Sequence, residues 1–304
     1  MALFEDLSRK FQLHENLMKS FINSAPHRYK FHTITKRHGG EREIAQPVKS
    51  LKIVQRWLIT HYLSKYPVHS IAAIAYIKNK NIKDFVAPHK DNIFLLKLDF
   101  QNFFNSIKLS DFYAFCKTHN IPEEDQKILG LLLFCKDKQG ESYLSIGAPS
   151  SPAVSNILMF DFDNKVFELC KQNNIIYTRY ADDLAFSTNK PNVLIQLLAD
   201  ITSLCTQLEY PKNLQINAEK TVFTSKKNNR TLTGLVISND GSISIGREKK
   251  RELRAMAHQA KLGKLPPEKI GTLLGKIAFL KSIDPDFAKQ LEDKYLINLD
   301  GKFN

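Results

Sequence analysis

The most informative run of the sequence reads Ile175-Ile176-Tyr177-Thr178-Arg179-Tyr180-Ala181-Asp182-Asp183-Leu184-Ala185-Phe186-Ser187. Two segments of β-branched, aromatic and apolar residues flank a short polar centre, which is the sequence form of a β-hairpin with a tight turn. Asp182 and Asp183 would then lie at the tip of the hairpin. Aspartate is common in turns because it hydrogen-bonds locally, so the pair alone does not indicate a function.

A third aspartate ends another predicted strand. Residues 92–99 are mostly apolar and finish with Asp99, the pattern of a buried strand. Carboxylates gathered at strand ends repel one another unless a cation lies between them, and Mg²⁺ accepts a few carboxylates together with waters and phosphates. Two such ions roughly 4 Å apart activate an attacking hydroxyl and stabilise a leaving pyrophosphate. The alternative is that these aspartates only cap turns and strand ends.

The pattern around these residues predicts an α+β fold. Apolar residues at helical spacing predict a buried helix over 51–63 and helices near 110–119 and 123–136. The serines of the loop at 147–152 are expected to cap a long helix over about 153–171. The remaining elements are a helix near 192–209, strands near 213–216, 220–224, 232–237 and 242–245, and a basic helical region from residue 247 onward.

Composition limits the class of protein. The chain has 304 residues, 43% of them hydrophobic, and a net charge of +13, which suits a polyanion such as nucleic acid but also fits a merely basic surface. The cysteines form no metal-binding or disulfide pattern and are expected to be reduced core residues: Cys116, Cys135, Cys170 and Cys205. The first residues lack the order of a signal peptide, and the longest apolar run, 71–77, is too short to span a membrane. We therefore expect a cytoplasmic protein without a membrane partner.

Six motifs, in order, resemble those of reverse transcriptases. Tyr180-Ala181-Asp182-Asp183 looks like the YxDD motif, and residues 98–104 look like the first palm motif. Residues 147–152, 217–221 and 232–238 resemble the nucleotide-holding loop, the motif after the hairpin and the primer grip, and residues 41–47 resemble a finger segment. The resemblance implies an RNA-directed DNA polymerase that uses dNTPs and is shaped like a right hand. Fingers (mainly 1–90 and 110–145) and palm (an antiparallel sheet plus helices, mainly 91–109 and 146–237) would occupy residues 1–237, and a basic helical thumb residues 238–304.

By the same resemblance, Asp99, Asp182 and Asp183 are the catalytic carboxylates. With the backbone carbonyl of Phe100, they would hold two Mg²⁺ ions, for which Mn²⁺ is an alternative. The residues implied in nucleotide binding are Arg42, Phe104, Gly147, Ala148 and Lys220. Phe104 would fill the space of a 2′-hydroxyl and so select dNTPs, unless it is a core residue. Lys220 would protonate or neutralise the pyrophosphate, unless it is a solvated lysine.

The residues implied in primer or RNA binding are Tyr180, Leu232, Thr233, Gly234, Arg247, Lys249, Lys250, Arg251, Arg254 and His89. A basic helix is more often a solvated face, but a thumb lies along a duplex, which favours phosphate contact. His89 has a structural role as its alternative. For Arg179 the sequence leaves open a local carboxylate or the primer backbone.

Within the family, residues 177–184 and 245–249 are most similar to bacterial retron enzymes. This implies that the protein copies part of a cognate structured RNA into a single-stranded DNA, primed by an RNA 2′-hydroxyl. It also implies a role in defence against phage with a separate effector protein encoded nearby. Three places depart from the retron pattern: Ile146 replaces a usual Gln, residues 85–89 keep only His89, and Leu232 replaces a usual Val. The alternatives are another bacterial reverse transcriptase (group II intron-like or diversity-generating), an RNA-dependent RNA polymerase, or an idle RNA-binding scaffold that restrains an effector.

Overall fold

A computed structural model of the protein describes residues 2–35 and 39–295. Three residues of the predicted basic loop, Lys36, Arg37 and His38, and the last residues of the predicted thumb lie outside this part of the chain. The elements up to residue 133 are α1 (Ala2–Phe11), α2 (Glu15–Ser24), β1 (Tyr29–Thr35), β2 (Glu41–Pro47), α3 (Lys49–His61), α4 (Ile82–Val86), β3 (Phe94–Asp99), α5 (Phe103–Ser106), α6 (Leu109–Thr118) and α7 (Glu123–Leu133).

The second half of the chain carries most of the strands and the C-terminal helices. Its elements are β4 (Cys135–Lys136), β5 (Ser142–Tyr143), α8 (Ser151–Leu158), α9 (Phe160–Gln172), β6 (Ile176–Tyr180), β7 (Asp183–Thr188), α10 (Val193–Gln207), β8 (Val222–Ser225), β9 (Arg230–Leu232), β10 (Leu235–Ile237), β11 (Ile243–Ser244), α11 (Arg247–Lys261), α12 (Pro267–Ile283) and α13 (Pro285–Tyr295). Within the described residues, every helix is too short or too polar to cross a bilayer.

The fold is centred on a four-stranded antiparallel sheet with the strand order β6-β7-β3-β8. β6 and β7 form the predicted hairpin, and β3 lies beside β7. Side chains alternate between the two faces of a strand. Leu96 and Leu98 therefore face the large core that α8, α9 and α10 cover, whereas Leu95 and Ala185 face a second core. The predicted α+β fold is confirmed.

The second core joins this sheet to the C-terminal helices. β9, β10 and β11 form a separate antiparallel sheet in the order β11-β10-β9. Leu232 and Leu235 of this sheet are buried together with Leu253 of α11, Leu273 of α12 and Phe287 of α13. The small sheet thus lies between the central sheet and the region predicted to be the thumb, and the domain boundary at residues 237 and 238 stays a prediction.

Several elements begin or end elsewhere than the sequence pattern indicates. The helix predicted over 153–171 is divided into α8 and α9 at Met159, and the helix predicted over 123–136 ends at Leu133. The strand predicted over 232–237 is split by a turn in which Thr233 and Gly234 have φ of +46° and +86°. Ser150 occupies the N-cap position of α8, but its side chain makes no capping hydrogen bond. Hydrophobic periodicity shows which face is apolar and not where the chain changes direction.

All four cysteines are free and buried, which agrees with their predicted place in the core. Burial raises the pKa of each thiol to about 12. Since the thiolate is the reactive form, these thiols are inert at neutral pH.

A buried ion pair attaches the hairpin to α9. Arg179 of β6 and Asp163 of α9 are fully buried, and Nε and Nη2 of the arginine donate to the two carboxylate oxygens at 2.8 and 2.6 Å. Tyr177 donates its hydroxyl to the same carboxylate at 2.7 Å. Nη1 of Arg179 donates to the carbonyl of Ala181 at 3.1 Å, so the arginine also holds the tip of the hairpin. Of the two partners left open for Arg179, the structure shows the local carboxylate.

Removing either member of this pair should destabilise the protein severely, because the other charge is then buried alone. We expect Asp163→Ala or Arg179→Met to lower the free energy of unfolding by about 3–5 kcal/mol, measured by urea denaturation. A matched control is Lys127→Met, which breaks the exposed ion pair of Lys127 with Glu123 and should leave the midpoint almost unchanged. Similar losses in the buried and exposed variants would contradict this account.

Candidate active site

Three aspartates meet at one end of the central sheet. Asp99, the last residue of β3, is the register partner of Asp183, the first residue of β7. The amide of Phe100 donates to the carbonyl of Asp182 at 3.1 Å. Ala181 has a φ of +57°, which turns the chain sharply between the two strands. The structure thus brings together the three carboxylates that the sequence singled out.

Two lysines face these carboxylates. Nζ of Lys220 lies 2.9 and 3.0 Å from the carboxylate oxygens of Asp99, and Nζ of Lys97 lies 3.3 Å from Oδ1 of Asp183. The amide of Asn217 donates to the carbonyl of Asp99 at 2.8 Å, which positions the turn that carries Lys220. Lys220 is therefore in the site. The sequence analysis missed Lys97, and the available signal was its place two residues before Asp99, on the same face of the strand.

The crowding of carboxylates raises the pKa of Asp182 to about 6. Burial is the largest cause, and the negative charges of Asp183 and Asp99 add to it, whereas Lys220 acts in the opposite direction. Burial also raises the pKa of Asp183, which Lys97 partly offsets. Ionised carboxylates are therefore costly here, and a divalent cation would stabilise them.

The carboxylate and carbonyl oxygens of the site are ligands that suit such a cation, but the side chains are not arranged around one position. Within residues 2–35 and 39–295, no group of three or more His, Cys, Asp or Glu side chains is positioned to hold a metal ion. Asp99 and Asp183 are paired with lysines: Lys220 contacts both carboxylate oxygens of Asp99, and Lys97 contacts one oxygen of Asp183. Carboxylate and carbonyl oxygens are ligands that Mg²⁺ accepts, and the metal-binding roles of the three aspartates and of the Phe100 carbonyl stay predictions.

Two partly exposed aromatic rings, those of Phe104 and Tyr76, lie next to each other. Asn102, with a φ of +46°, precedes the short helix α5. Within α5, Phe103 is buried in the large core, whereas Phe104 is only partly buried at its edge. The ring centroid of Tyr76 lies 6.4 Å from that of Phe104. The sequence analysis missed Tyr76, whose signal was a single aromatic residue inside the small apolar run at 71–77.

The hairpin of β1 and β2 reaches the glycine loop that precedes α8. The amide of Ala45 donates to the carbonyl of Ile146 at 3.0 Å. Gly147 has a φ of +119°, and a Cβ there would lie 3.1 Å from Cγ2 of Ile44, so the close approach favours glycine. Arg42 lies two residues before Ile44 and therefore on the same face of its strand. This face is turned toward the glycine loop.

Some residues predicted to bind nucleic acid or nucleotide are buried. His89 is 1% exposed, and its ring nitrogens lie 2.7 and 2.8 Å from the hydroxyl oxygens of Ser187 and Thr178. Burial lowers the pKa of His89 to about 3, so the ring is neutral and links two strands to the segment before β3. The two hydroxyl contacts favour the structural role that was the alternative for His89, and its contact with RNA stays a prediction. The side chains of Leu232 and Ala148 are also buried, which leaves their backbone groups for any contact.

The turn predicted to grip the primer contacts the C-terminal helices. Nζ of Lys249 donates to the carbonyl of Gly234 at 3.1 Å. A Cβ at Gly234 would lie 3.0 Å from the same Nζ, so the contact is tight. A cavity of about 410 Å³ opens between the turn, α11 and α12. The turn is thus fixed to α11, and its contact with a primer stays a prediction.

The basic residues of α11 do not form a single face. At about 100° per residue, Lys249 and Arg251 are separated by roughly 160° around the helix. Lys250 is paired with Asp284 at 2.6 Å, and Arg254 lies over an aromatic ring of α13. The members of the cluster that are exposed and form no such contact with α13 are Arg247, Lys249 and Arg251.

Comparison with known proteins agrees with the fold and with the aspartate site. Residues 34–237 match the family described as "Reverse transcriptase (RNA-dependent DNA polymerase)". The chain belongs to this family, whose members are RNA-directed DNA polymerases and generally use divalent metal ions.

Its relatives define the kind of reverse transcriptase more closely. The chain is 39% identical over 272 residues to the retron Ec83 reverse transcriptase of Escherichia coli, spanning 88% of this chain and 86% of that protein. It is 34% identical over 276 residues to the retron Ec73 reverse transcriptase of the same species, spanning 86% and 85%. These relatives are retron reverse transcriptases, as the sequence motifs predict.

A solved structure shares the fold. An apo telomerase from Candida tropicalis superimposes with a TM-score of 0.51 at 13% identity, covering 88% of this chain and 57% of that one. At this identity the likeness concerns the arrangement of helices and strands alone.

The raised pKa of Asp182 predicts how the metal-free protein responds to pH. The folded state binds this proton more tightly than the unfolded state, so this group's contribution makes stability fall as pH rises from about 4 to about 6. The full effect is at most about 3 kcal/mol. We expect Asp182→Asn, compared with the wild type by urea denaturation in a chelator at pH 4.5 and 7.5, to remove this loss. Equal pH dependence in the two proteins would contradict the raised pKa.

Proposed function

We propose that this protein is the RNA-directed DNA polymerase of a retron. It would copy part of a cognate structured RNA into multicopy single-stranded DNA, primed from an RNA 2′-hydroxyl, in an antiphage defence system of the bacterial cytoplasm. The observation that carries the proposal is the convergence of Asp99, Asp182 and Asp183 at one sheet end, in a chain whose relatives are retron reverse transcriptases.

The chemistry would be nucleotidyl transfer with two Mg²⁺ ions, or with Mn²⁺ in their place. Asp99 and Asp182 would be ligands of both ions, Asp183 a more peripheral one, and Phe100 would add its carbonyl. When bound, the ions supply the positive charge that activates the attacking hydroxyl and stabilises the leaving pyrophosphate. Lys220, already beside Asp99, would neutralise charge on the phosphates or donate a proton to the leaving group.

The incoming dNTP would bind between the finger hairpin and the aspartates. Arg42 lies on the hairpin face that is turned toward the glycine loop, and a guanidinium suits a triphosphate. The backbone of Gly147 and Ala148 would line the same space. Phe104 would meet the sugar and exclude a 2′-hydroxyl.

The primer and RNA would lie between the aspartates and the C-terminal helices. The turn at Thr233 and Gly234 would hold the primer. Tyr180, whose ring centroid lies 5.8 Å from that of Phe85, would contribute to the same contact. The residues proposed to contact phosphates are Arg247, Lys249, Arg251 and Arg254, with Lys250 available only if its pair with Asp284 opens. Residues 238–304 would thus act as the thumb, and the fingers and palm would divide as the resemblance implies.

A separate effector protein, encoded nearby, is the proposed partner beside the RNA and its DNA product. A polymerase that also restrains an effector would combine catalysis with the scaffold role. The intact aspartate site disfavours a scaffold without turnover, because keeping three crowded carboxylates has a cost in stability that binding alone does not require.

Purification from cells that carry the native locus should yield the protein with a short DNA attached to RNA. We expect DNase to remove this DNA and a debranching enzyme to shift its mobility on a denaturing gel. The control is the double variant Asp182→Asn with Asp183→Asn, which should retain the RNA but contain no DNA. Wild-type protein without branched DNA, yet active on an added primer and template, would indicate another class of reverse transcriptase. DNA in the double variant would refute the aspartate assignment.

Phe104→Ala should open space for a 2′-hydroxyl. We expect the ratio of kcat/KM for dNTP to that for rNTP to fall by roughly 10- to 100-fold in primer extension. Phe112→Leu is the matched control, since it shortens a buried ring elsewhere in the large core and should change stability rather than selectivity. An unchanged ratio in Phe104→Ala would exclude the sugar-contact role and would make an RNA polymerase activity worth testing.

A further inference from the structure

Tyr76 is an exposed aromatic residue in a constrained backbone conformation. Tyr76 is 53% exposed, whereas the four residues before it are buried: Ala72, Ala73, Ile74 and Ala75. Its φ of +65° lies in the left-handed region, which is uncommon and costly for a bulky residue other than glycine. Such conformations persist where the surroundings hold them in place, and they concentrate at functional sites.

The surroundings of Tyr76 do hold it in place. The residues before it run beside β6, because the amide of Ile74 donates to the carbonyl of Arg179 at 2.9 Å and the amide of Arg179 donates to the carbonyl of Ala72 at 2.7 Å. Nδ2 of Asn156, a buried residue of α8, donates to the carbonyl of Ala75 at 2.9 Å. The chain is therefore fixed on two sides at the residue just before Tyr76.

The ring held in this way lies next to Phe104. It lies 6.4 Å from the ring of Phe104, at an interplanar angle of 52°. Burial raises the pKa of Tyr76, and the negative charge of Asp182 adds to this effect, so the ring is also close to the aspartates. Phe104 in turn packs against Phe103 at 5.3 Å on its other side.

We propose that Tyr76 and Phe104 form a two-ring wall against the sugar of the incoming nucleotide, with Tyr76 as a positioning residue for selection against ribonucleotides. The inference rests on the sugar-contact role proposed for Phe104. An aromatic ring excludes a hydroxyl only if it cannot move aside. Phe103 supports Phe104 from the core, whereas Tyr76, which is exposed, limits the movement of Phe104 away from the core. Selectivity then depends on the ring of Tyr76 and not on its hydroxyl.

The test is the ratio of kcat/KM for dNTP to that for rNTP in primer extension. Tyr76→Phe should keep this ratio within about twofold of the wild type, whereas Tyr76→Ala should lower it by on the order of tenfold. Tyr76→Gly should lower the ratio by the same factor. Because glycine adopts the positive φ without strain, this variant shows that the effect does not come from backbone strain in Tyr76→Ala. Phe223→Ala is the control, since Phe223 is a comparably exposed aromatic opposite Leu96, on the other face of the sheet from Asp99.

A double-mutant cycle distinguishes two rings that act as a unit from two rings that contact the sugar independently. If the two rings act as a unit, Tyr76→Ala combined with Phe104→Ala should lower the ratio no further than Phe104→Ala alone. Additive effects, or an unchanged ratio in Tyr76→Ala while Phe104→Ala lowers it, would overturn the role of Tyr76 and leave Phe104 standing. An unchanged ratio in Phe104→Ala would instead refute the proposed sugar contact, and the two-ring wall with it.

Discussion

The carboxylates of Asp99, Asp182 and Asp183 repel one another, and the surrounding residues hold them together and offset their charge. The strand register keeps the carboxylates together, Arg179 holds the turn through the carbonyl of Ala181, and Asp163 neutralises that arginine inside the core. Lys97 and Lys220 supply the positive charge at the site itself. These lysines offset part of the repulsion, and a metal ion bound to Asp99 would compete with Lys220 for the same carboxylate oxygens.

The parts of the site that depend on local pattern could be predicted from the sequence. Apolar alternation around residues 175–187 indicates the hairpin, and the apolar run before Asp99 indicates the strand that pairs with it. The partners of buried polar groups could not be predicted, because they are distant in sequence. His89 is held by Thr178 and Ser187 from the central sheet, and no local pattern near His89 indicates this.

The basic cluster of α11 shows a second limit of sequence reasoning. A count of positive charges treats them alike, but the position of a residue around a helix decides what its side chain meets. Lys249 contacts the turn at Gly234, and Lys250, the next residue, contacts Asp284 instead. Only the packing of α11 against α13 and the small sheet, which involves long-range contacts, distinguishes the two.

The burial of all four cysteines has a practical consequence for observing this enzyme at work. With each thiol pKa near 12, maleimide dyes and spin labels should react slowly with the native protein. A cysteine introduced on the exposed hairpin of β1 and β2, and another on α12, would then be labelled selectively without first removing the natural ones. The distance between these two elements could then be followed by fluorescence energy transfer in an otherwise unmodified chain.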